Sequence, residues 1–188
     1  MLKQSFILSI LLVLIFFSGE RKGFAESLLP DALLTETETL ILNGQGTRTK
    51  LFLTLYEAGL YLQGKSREAD SIVAADKPMA IRLIIKSSFI TSEKMESATL
   101  EGFEKSTNGN TSPLDKEIKA FIAVFLEEIQ ENDIYEMFYL PDTGVKVLKN
   151  NKPAALITGL AFKKALFGIW LSPNPVQQSL KRELLGEK

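Results

Sequence analysis

The sequence predicts an α+β fold in which a mainly antiparallel β-sheet is covered by helices. Segments rich in Leu, Ile, Thr, Phe and Tyr are bounded by Asn, Gly and Pro, which is typical of β-strands joined by turns. Other segments carry apolar residues at spacings of three and four, which is typical of amphipathic helices. Runs of strands with helices gathered between them favour the α+β class. A chain of 188 residues is long enough for one domain with an adequate core.

The N-terminus has the pattern of a secretory signal peptide. Lys3 gives a short basic start, residues 6–17 are apolar apart from one serine, and residues 23–25 place small groups where signal peptidase needs them. The apolar run is shorter than the roughly 20 residues that span a bilayer. The charged residues 20–22, directly before the expected cut, leave an uncleaved short anchor as the alternative.

Cleavage after Ala25 divides the chain into a signal peptide, residues 1–25, and a single mature domain, residues 26–188. We therefore expect an exported protein that is periplasmic or extracellular after cleavage, with no stable membrane insertion of the mature chain. No cysteine follows the apolar run, which excludes a lipoprotein anchor. Stability must then depend on packing and not on disulfides.

Composition excludes several classes of function. The chain has no histidine and no cysteine, so Ser-His-Asp and Cys-His catalysis and sites with His or Cys metal ligands are ruled out. No spaced loop of acidic residues suggests a carboxylate metal site, and we expect neither metal nor cofactor. The net charge of −1 gives no reason to expect nucleic acid or an acidic membrane as a partner.

The stretch from Gly44 to Leu62 is the centre of the predicted sheet. Asn43-Gly44 predicts a tight turn, followed by one long strand whose side chains alternate between two faces. The face with Thr49, Leu51, Leu53, Leu55 and Glu57 is mostly apolar and is expected to meet the core. The opposite face contains Arg48, Lys50, Phe52, Thr54, Tyr56 and Ala58. That mixed face is either a solvent-exposed surface or the wall of a binding site with a polar end and an apolar end.

The remaining elements follow in order along the chain. A lead-in with Pro30 and a short strand over 39–42 come before the central stretch. Residues 114–131 form the strongest predicted helix, because their apolar residues repeat at helical spacing. The other predicted elements are a helix over 64–75 with Ser66 as N-cap, a strand over 79–86, a helix over 91–105 capped by Thr91 or Ser92, a strand over 133–140, a hairpin of 145–149 and 154–158, and helices over 160–170 and 176–185.

Three stretches together resemble the chalcone isomerase-like family, in particular its small exported bacterial branch. They are GQGTRTKLFLTLYEAGLYL at 44–62, SEKMESATLEGF at 92–103 and GIWLSPNPVQQSLKRELLG at 168–186. The resemblance implies an open-faced β-sandwich, with one large antiparallel sheet and a helical layer on one face. Plant members of this family are intramolecular lyases that close a chalcone to a flavanone, and other members bind fatty acids.

The resemblance also implies a set of site residues. The plant site uses an arginine, a strand threonine, and a tyrosine, lysine and asparagine from the helix. Tyr56 stands in the place of the threonine, Lys94 matches the lysine, Thr91 replaces the tyrosine and Ala98 replaces the asparagine. The family pattern puts its arginine before the turn, whereas Arg48 lies after it.

The expected function is therefore binding of a fatty acid or similar amphiphile without catalysis, through Arg48, Tyr56, Thr91 and Lys94. The alternative is an intramolecular lyase of the chalcone–flavanone isomerase type, in which Tyr56 and Lys94 are catalytic. We expect flavanone closure to be negligible, because parts of the polar site are lost. A third possibility is an interaction module with no small ligand. Trp170 is expected to be a core anchor.

The signal peptide yields the first testable prediction. N-terminal sequencing of the exported protein should begin at Glu26, because the Gly-Phe-Ala ending at 23–25 directs the cut after Ala25. A chain that keeps residues 6–17 and fractionates with the membrane would contradict it.

Overall fold

The computed structural model describes residues 28–35 and 38–187, so the predicted signal peptide lies outside the described residues. In this part of the chain one seven-stranded sheet forms, and each strand is antiparallel to its neighbours in the simple chain order β1 to β7. The strands are β1 Ala32–Leu34, β2 Thr39–Lys50, β3 Leu53–Leu62, β4 Met79–Ile85, β5 Ile134–Leu140, β6 Gly144–Lys149 and β7 Lys152–Ile157.

Helices form a layer against this sheet, which confirms the predicted α+β class. Of the two predicted caps, Thr91 and not Ser92 caps α2, with its side chain accepting a hydrogen bond from the backbone N–H of Lys94. Ser66 does not cap α1, which begins only after Glu68. The helices are α1 Ala69–Ala74, α2 Ser92–Ser106, α3 Asp115–Ile122, α4 Leu160–Leu171 and α5 Gln178–Leu184, with 3₁₀ turns at Ser112–Leu114 and Ala123–Phe125.

The hairpin turn of the central stretch is not where the sequence predicted it. Residues 43–46 lie inside β2, and the chain reverses at Leu51 and Phe52, whose φ angles are 48° and 68°. Gly44 is needed for a different reason. A Cβ at Gly44 would overlap the backbone of the C-terminal segment at Glu183, so the glycine permits close approach and not a turn.

The predicted core face of the central stretch is also wrong. The main core lies on the side of β3 that carries Tyr56, Ala58, Leu60 and Leu62, all of which are buried. The predicted apolar face includes Leu51 and Leu53, which lie at the exposed tip of the β2–β3 hairpin. The apolar composition of this face did not predict its burial, because large apolar side chains are exposed at the tip of the hairpin.

The predicted long helix over 114–131 is much shorter in the structure. α3 ends at Ile122, and the 3₁₀ turn that follows ends at Phe125. Beyond it, backbone carbonyls bond to side chains from elsewhere in the fold: that of Glu127 accepts from Ser92 (3.0 Å) and that of Glu128 accepts from Lys149 (2.7 Å). These tertiary contacts replace the intrahelical bonds that the apolar repeat predicted.

The core between the sheet and the helices is dominated by aromatic side chains. Phe103 of α2, Phe121 of α3 and Phe162 of α4 are buried and in mutual contact, with ring centroids 5.8–6.0 Å apart. The contacts tie three helices to one another above the strands. A smaller apolar cluster lies on the opposite face of the sheet and comprises Leu33, Leu40, Tyr61, Ala80 and Phe138.

Lys163 is a buried cation that joins α4 to the end of α1. Its amine donates to the backbone carbonyls of Ile72, Val73 and Ala75, each at 2.8 Å, and the side chain is fully buried. Burial lowers the pKa of Lys163 to about 8, so most of the amine remains protonated at neutral pH. All three protons of the ammonium therefore have acceptors, and three carbonyls at the end of a short helix have a donor.

Replacing this amine should destabilise the fold. Lys163→Met leaves three carbonyls without their donor, and we expect the free energy of unfolding to fall by about 2–4 kcal/mol. Lys164→Met is the matched control, because Lys164 is exposed on the same helix, and it should stay within about 0.5 kcal/mol of wild type. Urea unfolding of the three proteins measures the difference. Equal losses would show that the buried amine contributes no net stability.

Candidate functional site

A cavity of about 620 Å³ lies between the inner face of the sheet and the helical layer. Its volume falls within the range of small-molecule sites. The apolar part of its wall comes from strands β3 to β6, from α2, from the α3 region and from α4. Among the residues of this part are Leu83, Phe121, Phe125, Met137, Val147 and Ile169. The charged part of the wall comes from β2 and from the exposed side of α2.

Arg48 lies on β2 in the cavity wall and is held in place by the C-terminal segment. Its Nη1 donates to the side-chain oxygen of Gln177 and to the carbonyl oxygen of Thr49, both at 3.0 Å. Gln177 is itself fixed, because it accepts from the Thr49 backbone N–H (3.0 Å) and donates to the Thr47 carbonyl (3.1 Å). The contacts named here use one guanidinium nitrogen, which leaves other N–H groups to bind an anion.

Tyr56 is the direct cross-strand neighbour of Arg48, and it is oriented by Trp170. The indole Nε1–H of Trp170 donates to the Tyr56 hydroxyl oxygen at 3.0 Å, and all three side chains line the cavity. Burial raises the pKa of Tyr56, opposed by the Trp170 hydrogen bond and the Arg48 charge, so the phenol is neutral at ordinary pH. A neutral hydroxyl that already accepts a bond still has its own proton to donate.

Arg48 and Tyr56 therefore form a head site with two donors of different kinds. A guanidinium and a phenol from paired positions of adjacent strands can both donate to one carboxylate. The sequence predicted that these two residues share a face, and the structure places them together in the cavity wall. They meet across the hairpin, and not along a single strand.

Further charges surround the mouth of the cavity on β2 and α2. Glu101 binds Lys105 of the same helix at 2.5 Å. The hydrogen bond and charge of Lys105 lower the pKa of Glu101, with smaller contributions from Lys50 and Arg48. The charged residues that line the cavity are four cations and two carboxylates: Arg48, Lys50, Lys94, Lys105, Glu93 and Glu101. The excess of positive charge suits an anionic ligand group.

Lys94 and Thr91 are placed less favourably than Arg48 and Tyr56. The Lys94 amine donates to the Phe89 carbonyl at 3.0 Å and lies 5.9 Å from the centre of the Phe89 ring, at the mouth of the cavity. Thr91 caps α2 and is not among the residues that line the cavity. The structure brings three of the four predicted binding residues to the cavity wall and leaves Thr91 outside it.

Sequence reasoning missed the two residues that position the head site. Trp170 is the buried core residue that was expected, but its second role was missed: it lines the cavity and orients Tyr56. Gln177 had no predicted role, although it holds Arg48 and the edge of β2. Both residues belong to the segment 168–186, whose resemblance to the family was the only signal that could have singled them out.

A second cleft, of about 740 Å³, runs along β2 beside the end of α5. It is more open to solvent than the first cavity, and its lining includes Gly44, Gly46 and the acidic residues Glu57, Glu183 and Glu187. Lys86 in this cleft is paired with Glu57 at 3.2 Å. The cleft lacks the enclosed apolar wall of the first cavity. In the described part of the chain, no group of three or more acidic side chains could hold a metal ion.

The fold and the cavity define the class of this protein: an open-faced β-sandwich with a largely apolar cavity beneath its helices and a cationic head site at one end. The chalcone isomerase-like family model matches residues 22–186, and the chain belongs to that family. No curated protein matches the sequence. The crystal structure of a fatty-acid binding protein of Arabidopsis thaliana is similar, with a TM-score of 0.65, 15% identity, and coverage of 84% of this chain and 90% of that one.

The hydrogen bond between Trp170 and Tyr56 predicts that removing the hydroxyl of Tyr56 and removing that of Tyr61, both on β3, will change the stability of the protein differently. Tyr56→Phe leaves the indole N–H without its acceptor, and should lower the free energy of unfolding by about 1–2 kcal/mol. Tyr61→Phe should be neutral or stabilising, because the buried Tyr61 hydroxyl has no hydrogen-bond partner among the described residues. Urea unfolding followed by emission of the single tryptophan tests both variants. A larger loss for Tyr61→Phe would contradict this assignment.

Proposed function

We propose that this protein binds a fatty acid or a similar amphiphile without transforming it. The observation that carries the proposal is the pairing of Arg48 and Tyr56 at one part of a largely apolar cavity. A carboxylate would lie between the two donors, and the alkyl chain would extend along the apolar wall. An exported location is part of the proposal and depends on the N-terminal pattern of residues 1–25.

The alkyl chain would supply most of the affinity. Each buried CH₂ contributes roughly 0.8 kcal/mol, and the wall offers Leu83, Met137 and Val147 from the sheet opposite Phe121 and Ile169 from the helices. The wall is built from buried side chains of strands and helices, so much of the site exists before the ligand arrives. A preformed apolar site reduces the ordering cost of binding.

The carboxylate would supply orientation and a smaller share of the affinity. A charged hydrogen bond contributes about 1.5–3 kcal/mol when its partners are shielded from water. Gln177 holds Arg48 and Trp170 holds Tyr56, so both donors are already positioned. Little side-chain entropy is then lost on binding.

Support for binding over catalysis comes from the site and from the relative. Ala98 lies in the cavity wall at the position where the plant lyases of the family carry an asparagine, and it offers no polar group. The Lys94 amine is engaged with the Phe89 carbonyl. The similar Arabidopsis thaliana structure is that of a fatty-acid binding protein. The likeness at 15% identity supports the fold, and the geometry of the cavity supports the ligand class.

Comparing a fatty acid with the fatty alcohol of equal length tests the head site. Arg48→Ala should weaken binding of the acid about ten- to a hundredfold, because a charged hydrogen bond is lost. The alcohol carries no charge and should be weakened much less. Tyr56→Phe should cost both ligands a smaller, similar amount. Titration calorimetry of both ligands against wild type and the two variants measures these differences.

Lys152→Ala is the matched control for loss of a positive charge, because Lys152 is exposed on β7 and does not line the cavity. It should leave both affinities unchanged. Equal losses of acid and alcohol on Arg48→Ala would mean that the arginine only supports the fold. No binding of either ligand to wild type would refute the proposed function.

A further inference from the structure

The turn between β2 and β3 combines a strained backbone with exposed apolar side chains. Lys50 pairs with Leu53, so Leu51 and Phe52 form a two-residue loop, and both have positive φ angles. Such loops favour Asn-Gly, because large side chains are strained in this backbone conformation. Leu51 is 83% exposed and Phe52 is fully exposed. Neither the backbone geometry nor burial within the fold explains Leu and Phe at this position.

The exposed turn continues into an apolar surface around the mouth of the cavity. Leu53 is 45% exposed and Phe89 is 59% exposed, and both line the cavity together with Leu51. We call the four residues Leu51, Phe52, Leu53 and Phe89 the apolar lip. Other exposed leucines, such as Leu126 and Leu156, do not line the cavity.

Positive charge is concentrated beside the apolar lip. Arg48 and Lys50 lie on the strand that leads into the turn, and Lys94 lies over the Phe89 ring. Lys105 lines the same cavity and is paired with Glu101. The chain as a whole has a net charge of −1, so this concentration of cations is a local property of the mouth. The overall charge balance therefore does not describe this surface.

We propose that the apolar lip docks on an anionic lipid surface, with the mouth of the cavity facing the membrane. Apolar side chains flanked by Lys and Arg are the combination that inserts into the interface of anionic bilayers. The lip is a narrow hairpin tip with one neighbouring aromatic, so its exposed apolar side chains can insert between lipid headgroups. Docking is peripheral, and it would place the mouth beside the source of an amphiphile.

This proposal can fail independently of the proposed function, because the lip is defined by exposure, backbone geometry and charge alone. The chain has no cysteine, so a single cysteine can carry an environment-sensitive fluorophore at a chosen site. Phe52→Cys places the fluorophore at the tip of the lip. Leu156→Cys places it at an exposed leucine on β7, outside the cavity wall, as the matched control.

The labelled proteins are mixed with vesicles of phosphatidylcholine and phosphatidylglycerol. We expect a blue shift and an intensity rise for the label at position 52 and no change for the label at 156. No shift at position 52, or equal shifts at both positions, would overturn the proposal. A shift at 52 that grows with protein concentration without vesicles would also overturn it, because a second copy of the chain would then cover the lip.

Two further variants separate the apolar and the electrostatic parts of docking. Phe52→Gly introduces a residue that adopts positive φ without strain, and it should lower vesicle partitioning by about tenfold or more while leaving fatty-acid affinity in vesicle-free solution unchanged. Lys50→Gln should lower partitioning onto the anionic vesicles about fivefold and leave pure phosphatidylcholine vesicles unaffected. Unchanged partitioning of Phe52→Gly on anionic vesicles would contradict the proposal.

Discussion

The contact between the C-terminal segment and the free edge of β2 is the interaction on which the head site depends. Among the described strands, β1 pairs only with the first residues of β2, and none borders the later part of β2 on that side. Side chains of the C-terminal segment occupy the edge: Glu183 accepts from the Thr47 N–H, and Gln177 bonds to Thr47 and Thr49. An exposed strand edge would otherwise leave backbone groups unpaired and open to association.

The same segment links the stability of the sheet edge to the geometry of the head site. Gln177 holds Arg48 while it holds the edge of β2, and Trp170 at the end of α4 orients Tyr56. The two donors of the head site are thus positioned from the C-terminal part of the chain. A substitution that loosens this segment should therefore disturb the positions of Arg48 and Tyr56 and the sheet edge together.

Buried polar groups in this fold fall into two groups with different consequences. Lys163 and the Tyr56–Trp170 pair have their hydrogen bonds made, so removing one partner leaves a buried polar group without that bond. The second group comprises Arg82, Glu136 and Tyr61. The Arg82 Nε and a carboxylate oxygen of Glu136, on neighbouring strands, lie 3.8 Å apart, and the Tyr61 hydroxyl has no hydrogen-bond partner among the described residues. Burial raises the pKa of Glu136, and the Arg82 charge opposes that rise. The first group stabilises the fold, whereas the second adds little to it.

The sequence by itself determined the fold class and most of the strands and helices, limited the cap of α2 to Thr91 or Ser92, and indicated the family. It also placed Arg48 and Tyr56 on one face by treating the stretch as a single strand. In the structure they share a face because a register shift between Arg48 and Thr49 offsets the odd-numbered pairing that the two-residue turn imposes. These features depend on local pattern and on motifs that are contiguous in the chain.

Only the tertiary structure decided where the central hairpin turns, which face of β3 is buried and what Trp170 and Gln177 do. Those features depend on contacts between residues far apart in sequence: Gly44 must admit the backbone of Glu183, and Gln177 must reach Arg48 across the edge of the sheet. Such contacts cannot be predicted from the spacing of apolar residues within a single segment.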